Sequence, residues 1–392
     1  MTNHSASPRL SSRIARLEAS PIREILSVID RPGMISFAGG LPAAETFPAM
    51  SLAKVPAKSM QYGASEGDSE LRQCIAQEVR TIGLNCAPDQ VLVLSGSQQG
   101  IDLVGKLFVD TGTPVAVESP TYLAALQVFR YFGAEFSTLD PSLPGAGLDV
   151  GPKPAVAYAI PTFQNPTGHC YDAAQRHNLA AACDALQVPL FEDDPYRDLV
   201  YDDCERTPVC AQLKTVSWVY QGSFSKSLAP GLRLGYLVAS PDLVPYLVRL
   251  KQAADLHSNR ISQWYVLEQL RDAGRQARIA KVVDIYRRKR DAFAQGLADN
   301  FNDLGTWQVP PGGLFFWLKL NRRIDTRLLL AQAIQRGVAF MPGEAFYAGQ
   351  PDACGELRLN FSHADPEQTR RGLAILAELV AAALKEEAPP AA

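Results

Sequence analysis

Short apolar segments alternate with helical patterns along the middle of the chain, and this alternation limits the possible folds more than any other feature. Between about residues 70 and 240, β-branched and aromatic segments recur with helical stretches between them. The segments are VLVLS, VAVES, AVAYAI, VPLFED, WVYQGS and LGYLVAS. This pattern predicts an α/β fold in which helices cover both faces of a mostly parallel sheet.

Small, polar or acidic residues follow most of these segments. They form five clusters, at residues 95–99, 118–122, 161–168, 192–196 and 223–226. Ligands of open α/β sheets bind beyond the carboxyl ends of the strands, so residues that follow the strands meet at one edge of the sheet. We therefore expect the five clusters to form one site.

The chain of 392 residues is long enough for two hydrophobic cores. After residue 255 the pattern changes to long helices and short strands, which predicts an α+β domain. The segment ISFAGGLPAAETFP is rich in Gly and Pro and predicts a loop, which a short helix over residues 21–29 precedes. We expect a flexible arm over residues 1–20, an N-terminal segment of the small domain with the substrate loop over 21–60, a large ligand-binding domain over 61–275 and a C-terminal small domain over 276–392.

Composition excludes several classes of function. A formal charge of -3 gives no field that would attract nucleic acid or an anionic membrane. The sequence has neither a secretory signal nor an apolar run near the roughly 18 residues that span a bilayer. The seven cysteines are odd in number and contain no CxxC pair, which disfavours a disulfide framework and a zinc site. We therefore expect a cytoplasmic protein without a metal.

The sequence around Lys226 carries the strongest chemical signal. This lysine follows WVYQGS in the pattern S-x-S-K-x-x-x-P-G-x-R-x-G. An amine that is shielded from water after a buried strand has a lowered pKa, which makes it a competent imine-forming nucleophile. Ser223 and Ser225 add hydroxyl groups, and Arg233 adds a planar guanidinium suited to phosphate oxygens.

Two other clusters offer groups that suit a phosphorylated pyridine ring. Gly96-Ser97-Gln98 precedes an amphipathic helix, and free N–H groups at such a start bind phosphate, although the same turn is also common as a structural element. Asp193 ends VPLFED, and Tyr196 follows three residues later. A carboxylate against a pyridine nitrogen keeps that nitrogen protonated, and a tyrosine can donate to a ring oxygen. A turn-forming Asp and a packed Tyr are the alternatives.

Three more residues have open interpretations. The Asn165 side chain in NPTG can hydrogen-bond a ring oxygen, but NPTG is also an ordinary turn sequence. Tyr122 can stack on a flat cofactor or belong to the core. Arg358 interrupts the alternating strand ELRLNFS, and an inward arginine needs an anionic partner. That partner is either a substrate α-carboxylate or a structural Asp or Glu.

Together these motifs resemble the fold-type I PLP-dependent aminotransferases of the aspartate aminotransferase superfamily, class I/II, over roughly residues 20 to 385. The resemblance implies a large domain with a mostly parallel seven-stranded sheet between helices and a smaller α+β domain. It also implies pyridoxal 5′-phosphate (PLP) as the cofactor, amino acids and 2-oxo acids as substrates, and a homodimer with shared active sites.

The same resemblance implies a role for each candidate residue. Lys226 is the Schiff-base lysine, Asp193 the partner of the pyridine nitrogen, and Arg358 the arginine that binds the substrate carboxylate. The remaining cofactor contacts are Tyr122 stacking on the ring, Tyr196 and Asn165 at the ring oxygen, Ser97, Gln98, Ser223, Ser225 and Arg233 at the phosphate, and Tyr62 from the neighbouring subunit.

Within this superfamily, ISFAGGLPAAETFP and Ser-Pro-Ile-Arg23-Glu resemble the branch of 2-aminoadipate and kynurenine aminotransferases. Gly40 and Arg23 are thereby candidate substrate-binding residues, Arg23 as a reader of a side-chain carboxylate on a helix beside the mobile loop. The alternative for Arg23 is a surface ion pair. The branch also supplies the C-terminal domain of MocR-type regulators, but about 20 polar residues are too few for the winged helix that precedes it there.

We therefore expect an aminotransferase that works by a ping-pong mechanism between an L-amino acid, such as 2-aminoadipate or an aromatic one, and a 2-oxo acid such as 2-oxoglutarate. The shared residues generate a carbanion without dictating its fate, so a β-lyase or a decarboxylase on the same fold is one alternative. A non-catalytic, MocR-like ligand-sensing module is the other.

Overall fold

The computed structural model describes residues 10–17 and 31–386, and within these residues it has thirteen β-strands and nine α-helices. The strands are β1 (Ile35–Ser36), β2 (Val91–Leu94), β3 (Pro114–Glu118), β4 (Glu135–Leu139), β5 (Val156–Ala159), β6 (Leu190–Asp194), β7 (Trp218–Ser223), β8 (Gly235–Ala239), β9 (Gly305–Thr306), β10 (Phe315–Leu320), β11 (Val338–Ala339), β12 (Met341–Pro342) and β13 (Glu356–Asn360). The helices are α1 (Ser69–Thr81), α2 (Ser97–Phe108), α3 (Leu123–Phe132), α4 (Ala173–Leu186), α5 (Val244–Asp255), α6 (Arg260–Arg271), α7 (Arg275–Phe301), α8 (Thr326–Gln335) and α9 (Pro366–Glu386).

Strands β2 to β8 form one seven-stranded sheet in the order β2-β8-β7-β6-β5-β3-β4. The neighbours from β7 to β4 are parallel, whereas β8 is antiparallel to both β2 and β7. The strands VLVL (β2) and VAYA (β5) are buried along their whole length, as continuous apolar sequences require. The predicted α/β fold with a mostly parallel sheet is confirmed.

The alternating pattern does not indicate two features of the sheet, which are the edge strand β4 and the antiparallel direction of β8. The sequence EFSTL of β4 lies at the sheet edge and is mostly solvated, so it has no apolar run. The connection between β7 and β8, residues 224–234, is shorter than the dozen or more residues that a parallel crossover needs. That short connection explains why β8 is antiparallel.

Helices cover both faces of this sheet. Apolar residues of α1, α4 and α6 pack on one face, and those of α2, α3 and α5 pack on the other. Side chains cap several helix starts: for example, Asp68 accepts from the N–H groups of Glu70 and Leu71, and Asp172 forms a reciprocal capping box with Gln175. No helix within residues 10–17 and 31–386 is both long enough and apolar enough to cross a bilayer.

A second core lies around a four-stranded antiparallel sheet, in the order β12-β13-β10-β9, with α7, α8 and α9. The N-terminal segment joins this core through β1, which pairs in parallel with β11. The expectation that ISFAGGLPAAETFP is entirely irregular is therefore wrong at Ile35 and Ser36. The partner strand lies about 300 residues away in sequence, so local composition does not indicate the pairing.

Part of the predicted N-terminal arm makes a defined contact. Ile14–Arg16 form a 3-10 helix, and the Arg16 guanidinium donates to Thr111 Oγ1 over 2.9 Å. The predicted helix over residues 21–29, with Arg23, lies outside the described residues. The domain boundaries near residues 20, 60 and 275 stay predictions.

Candidate active site

A cleft of about 280 Å³ lies at the carboxyl edge of the seven-stranded sheet, and we call it the central cleft. It receives residues from all five polar clusters of the sequence. Of the fourteen candidate residues, twelve line it: Gly40, Ser97, Gln98, Tyr122, Asn165, Asp193, Tyr196, Ser223, Ser225, Lys226, Arg233 and Arg358. Three of these are cations and one is a carboxylate, which suits a ligand with more than one negative charge.

Lys226 follows β7 and reaches across the central cleft to the Gly-Gly-Leu-Pro loop. Its Nζ donates to the backbone oxygen of Gly40 over 2.7 Å. Burial, together with the nearby guanidinium groups of Arg358 and Arg233, lowers the pKa of this amine to about 8. About half of an amine with this pKa is neutral at pH 8, so it can act as a nucleophile or a base.

The consecutive residues Asp193 and Asp194 end β6 on opposite faces of the sheet. Asp194 is neutralised, because its Oδ2 accepts from Arg197 Nε over 2.5 Å and from the Tyr220 hydroxyl over 2.9 Å. Asp193 lines the central cleft, where burial raises its pKa to about 6. Only Asp193 is therefore available to a cationic group of a ligand in the cleft.

Two buried residues that sequence reasoning missed hold the Asp193 carboxylate. The Tyr158 hydroxyl donates to Oδ2 over 2.9 Å, and Gln221 Nε2 donates to Oδ1 over 2.8 Å. Both hydrogen bonds favour the ionised carboxylate and oppose the effect of burial on its pKa. The sequence contains a signal for Gln221, since a glutamine within the apolar strand WVYQGS needs a buried partner.

Hydrogen bonds connect three other residues of the central cleft, which are Arg358, Asn165 and Tyr196. Arg358 Nη1 donates to Asn165 Oδ1 over 2.9 Å, Nη2 donates to the Ala38 backbone oxygen over 2.6 Å, and Asn165 Nδ2 is 3.5 Å from the Tyr196 hydroxyl. The guanidinium also lies 4.2 Å from the ring centroid of Phe315. Burial lowers the pKa of Arg358 to about 10, and its Nε has no hydrogen-bond partner among the described residues.

Hydrogen-bond donors from the start of α2 and from the residues around β7 also line the central cleft. Helix α2 begins at Ser97, directly after Gly96, whose φ of +87° suits glycine. A side chain at Gly96 would also collide with Arg233, because a Cβ there would lie 2.6 Å from Arg233 Nη2. Ser223 and Ser225 face the same space. These groups can hold an anion such as a phosphate.

The remaining candidates have distinct positions. Tyr122 stands at the start of α3, and its side chain lines the central cleft. Tyr62 lies outside the central cleft of its own chain, with three quarters of its surface exposed and its ring 5.7 Å from that of His257. Arg23 belongs to the part of the chain that the structure does not describe. Among the described residues no cluster of three or more His, Cys, Asp or Glu side chains is arranged to hold a metal ion.

The model of the family "Aminotransferase class I and II" matches residues 42–376. The chain belongs to this family. Aminotransferases of this class are PLP-dependent enzymes, so the protein is an enzyme of the transferase type and its cofactor is PLP.

Relatives with named activities align with nearly the whole length of this aminotransferase. The aromatic-amino-acid aminotransferase 1 of Thermococcus litoralis is 35% identical over 96% of this chain and 95% of that protein. Kynurenine aminotransferase from Pyrococcus horikoshii, solved in complex with PMP, has a TM-score of 0.89 at 32% identity and covers 97% of this chain and 98% of its own. The α-aminoadipate aminotransferase LysN of Thermus thermophilus, solved with N-(5′-phosphopyridoxyl)-L-leucine, has a TM-score of 0.85 at 34% identity and covers 96% and 98% of the two chains.

The residues of the central cleft fit PLP in charge and in chemistry. A lysine with a lowered pKa lines the same cleft as the Asp193 carboxylate and as serine hydroxyls and a guanidinium that can hold an anion. The buried and unpartnered Nε of Arg358 is an orphaned donor that points to a further anionic group. The aminotransferase therefore offers a matching partner for each charged group of a PLP molecule and a substrate carboxylate.

Proposed function

We propose that this aminotransferase moves an amino group from a long acidic or aromatic L-amino acid, such as 2-aminoadipate, to 2-oxoglutarate by a ping-pong mechanism. The observation that carries the proposal is the state of Arg358. It is a buried cation without a carboxylate partner among the described residues, and it lines the central cleft together with Lys226. An amino-acid carboxylate would supply the missing anion.

PLP, when bound, supplies an electron-accepting ring that stabilises negative charge at the substrate α-carbon. Lys226 would hold the cofactor covalently and, once a substrate amine replaces it, its Nζ would take the proton from the substrate α-carbon and deliver it to the C4′ carbon of the cofactor. Asp193 would stay ionised against the pyridine nitrogen, with the Tyr158 and Gln221 hydrogen bonds holding it in that state. The second half-reaction would use the same groups in reverse with a different oxo acid.

The other lining residues would position the two ligands. Tyr196 and Asn165 would donate to the ring oxygen of the cofactor, and Tyr122 would lie against the ring face. Hydroxyl, amide and guanidinium donors in the central cleft would hold the phosphate, and these are Ser97, Gln98, Ser223, Ser225 and Arg233. Gly40 would lie beside the substrate, where a Cβ would come within 3.1 Å of Phe315 Cζ and so narrow the cleft.

We also propose a homodimer in which Tyr62 completes the phosphate site of the partner. Its exposure in the isolated chain and its position outside its own cleft support this proposal. Met60 lines the same surface groove as Tyr62 and is also exposed, and exposed apolar side chains are typical of protein interfaces. All seven cysteines are unpaired, which supports a reducing, cytoplasmic location.

A substrate panel tests the function. With 2-oxoglutarate as acceptor, we expect the highest kcat/KM for 2-aminoadipate or an aromatic amino acid, and no glutamate formation with Lys226→Ala. Glutamate, whose reaction with 2-oxoglutarate gives no net change, is assayed as the donor with 2-oxoadipate. Release of ammonia, pyruvate or CO₂ in place of a new amino acid would indicate a β-lyase or a decarboxylase. PLP binding without any turnover would indicate a ligand-sensing module.

The role of Arg23 is tested with the same panel. If Arg23 reads the distal carboxylate, Arg23→Ala should lower kcat/KM for 2-aminoadipate and glutamate by about thirtyfold, since the loss of a hydrogen bond between charged groups costs about 2 kcal/mol. Leucine should be little affected. Arg31→Ala is a matched control, because it removes an exposed arginine from a nearby position of the same chain. Equal losses for every substrate would show that Arg23 is structural and not selective.

A further inference from the structure

Two cysteines that are 34 residues apart in sequence pack against the core around the four-stranded sheet. Cys170 ends the segment that contains Asn165, and Cys204 belongs to the segment after Tyr196. The two thiols are hydrogen-bonded to one another, and both are partly exposed. The Cys170 thiol also donates to the backbone oxygen of Glu205, the residue next to Cys204, over 3.2 Å. The pair is therefore accessible to a small reagent.

A buried guanidinium stands beside this pair. Arg176 of α4 is completely buried, and its Nη2 lies 3.6 Å from Cys170 Sγ. Its other partners are neutral, and they are the backbone oxygens of Pro161, Tyr171, Glu205 and Thr207 and the Thr162 hydroxyl. A buried cation that hydrogen-bonds no carboxylate favours an anion nearby, and the Cys170 thiol is the ionisable group that touches it.

The two cysteines have opposite tendencies to ionise. The hydrogen bond from Cys204 lowers the pKa of Cys170 to about 6, and Arg176 contributes in the same direction while burial opposes it. The same hydrogen bond raises the pKa of Cys204. Other charged groups at the pair are Arg206 and the Glu205 carboxylate, which accepts from the Thr207 N–H over 2.7 Å. Cys170 is therefore suited to be a nucleophile and Cys204 a thiol that follows it.

We propose that Cys170 and Cys204 form an oxidation site for hydroperoxides, in which Cys170 reacts first and Cys204 closes a disulfide. The Cys170 thiolate attacks one peroxide oxygen, the O–O bond breaks, and the other oxygen leaves as water or an alcohol after it gains a proton. The Cys204 sulfur then displaces the new hydroxyl group from Cys170, and the Cys204 proton leaves with it as water. Two thiols lose two electrons, and the peroxide gains them.

The disulfide would link the two segments that carry Asn165 and Tyr196. Disulfide sulfurs are about 2.05 Å apart, closer than hydrogen-bonded thiols, so the segments must draw together on oxidation. The sequence gives no sign of this site, since the two cysteines form no CxxC motif and the fold alone brings them into contact.

Mass spectrometry of the PLP-loaded, reduced protein after treatment with hydrogen peroxide tests the proposal. We expect the crosslink between Cys170 and Cys204 to be the first product. Cys204→Ser should instead accumulate a sulfenic acid at Cys170 that dimedone traps, and Cys170→Ser should leave Cys204 unmodified. Cys354→Ser is the matched control and should not change the crosslink, because burial and Glu344 raise the pKa of Cys354 to about 12.

The pH dependence of iodoacetamide labelling gives an independent readout. At pH 6, Cys170 should react at least about tenfold faster than Cys354, because thiolate fraction outweighs the lower nucleophilicity of a low-pKa thiol. Its labelling rate should level off near pH 7. Oxidation of other cysteines before Cys170, or a labelling rate at Cys170 that still rises through pH 8, would overturn the proposal.

Discussion

At the scale of single residues, Asp193 and Asp194 show how a strand gives different environments to identical side chains. Successive residues of β6 point to opposite faces, so one carboxylate pairs with Arg197 while the other faces the central cleft. The sequence Asp-Asp-Pro-Tyr does not by itself indicate which aspartate faces the cleft, and only the resemblance to the family favours Asp193. The neutral donors Tyr158 and Gln221 then decide how readily it ionises.

The first prediction concerns Tyr158→Phe, which removes one hydrogen bond from Asp193. The pKa of Asp193 is about 6 in the protein, so PLP affinity should fall as the pH drops below 6 and the carboxylate becomes neutral. Without the Tyr158 donor that pKa should rise by roughly one unit, because a hydrogen bond to a charged group contributes about 1.5 kcal/mol or more. The midpoint of PLP binding to the apoprotein, measured by fluorescence against pH, should move upward by the same amount.

Tyr201→Phe is the matched control for that experiment. It also removes a buried hydroxyl, but this hydroxyl donates to the backbone oxygen of Gly313 and not to Asp193. We expect it to lower the stability without moving the midpoint. An identical shift in both variants would mean that the change reflects loosened packing and not the state of Asp193.

The second prediction concerns Lys226→Ala. Borohydride reduction of the loaded wild-type protein should leave PLP covalently attached at residue 226, because the Lys226 amine has a pKa of about 8 and lies in the central cleft. The variant should retain no covalent PLP by intact mass. Lys251→Ala removes another buried lysine, which pairs with Asp255, and should keep the attachment. Covalent retention of PLP in Lys226→Ala would contradict the assignment.

At the scale of elements, helix α2 and strand β7 are in unusually close contact at Gly100. A Cβ at this position would lie 1.9 Å from Gln221 Oε1, whose Nε2 holds Asp193. Because Gly100 has no side chain, α2 can pack closely against Gln221. Gln221 can then keep its hydrogen bond to Asp193 in the cleft. Helix propensity alone would suggest replacing this glycine by alanine.

The third prediction is that Gly100→Ala destabilises the protein, although alanine is the better helix former by about 1 kcal/mol. Gln221 must move to make room, which breaks its bond to Asp193, and we expect a loss of roughly 1–3 kcal/mol in urea unfolding together with weaker PLP binding. Gly349→Ala, where a Cβ meets nothing within 4 Å, should have little effect. In a Gln221→Ala background the cost of Gly100→Ala should shrink, and a cost that stays the same would refute the explanation.

The individual strands show how much of the fold could be predicted from the sequence. Six strands of the large sheet follow from apolar runs, because both faces of those strands are buried. Strand β4 has a solvated edge and strand β1 depends on a partner from the far end of the chain, so neither leaves a local pattern. The sheet edge could be predicted as the place of the site, whereas the hydrogen bonds of Tyr158 and Gln221 to Asp193 depend on side-chain packing that only the structure reveals.

At the scale of the whole molecule, the proposed dimer explains why Tyr62 lies far from its own cleft. A Tyr62→Phe chain and a Lys226→Ala chain should each be nearly inactive alone. In a hybrid dimer one site carries both substitutions and the other carries neither. After equal mixing and exchange, half of the dimers are hybrids, so activity should return to about one quarter of the wild-type value.

The control for this fourth prediction mixes Lys226→Ala with Arg233→Ala. Both residues line the same cleft of one chain, so every site in a hybrid carries one substitution. No activity should return in this mixture, which is followed by 2-oxoglutarate-dependent turnover. Failure of the Tyr62 mixture to recover, although hybrids are seen by native mass spectrometry, would rule out the shared site.

The pairing of β1 with β11 has a consequence for biosynthesis. Ile35 and Ser36 leave the ribosome early, but their partners Val338 and Ala339 emerge about 300 residues later. At a synthesis rate of about 5–20 residues per second, the early segment waits for roughly 15 to 60 seconds without its partner. The large sheet, which is continuous in sequence, can form during that interval. The Gly-Gly-Leu-Pro loop beside the central cleft is therefore among the last parts to fold. The sheet residues that would hold the cofactor can be in place before this loop can enclose a substrate.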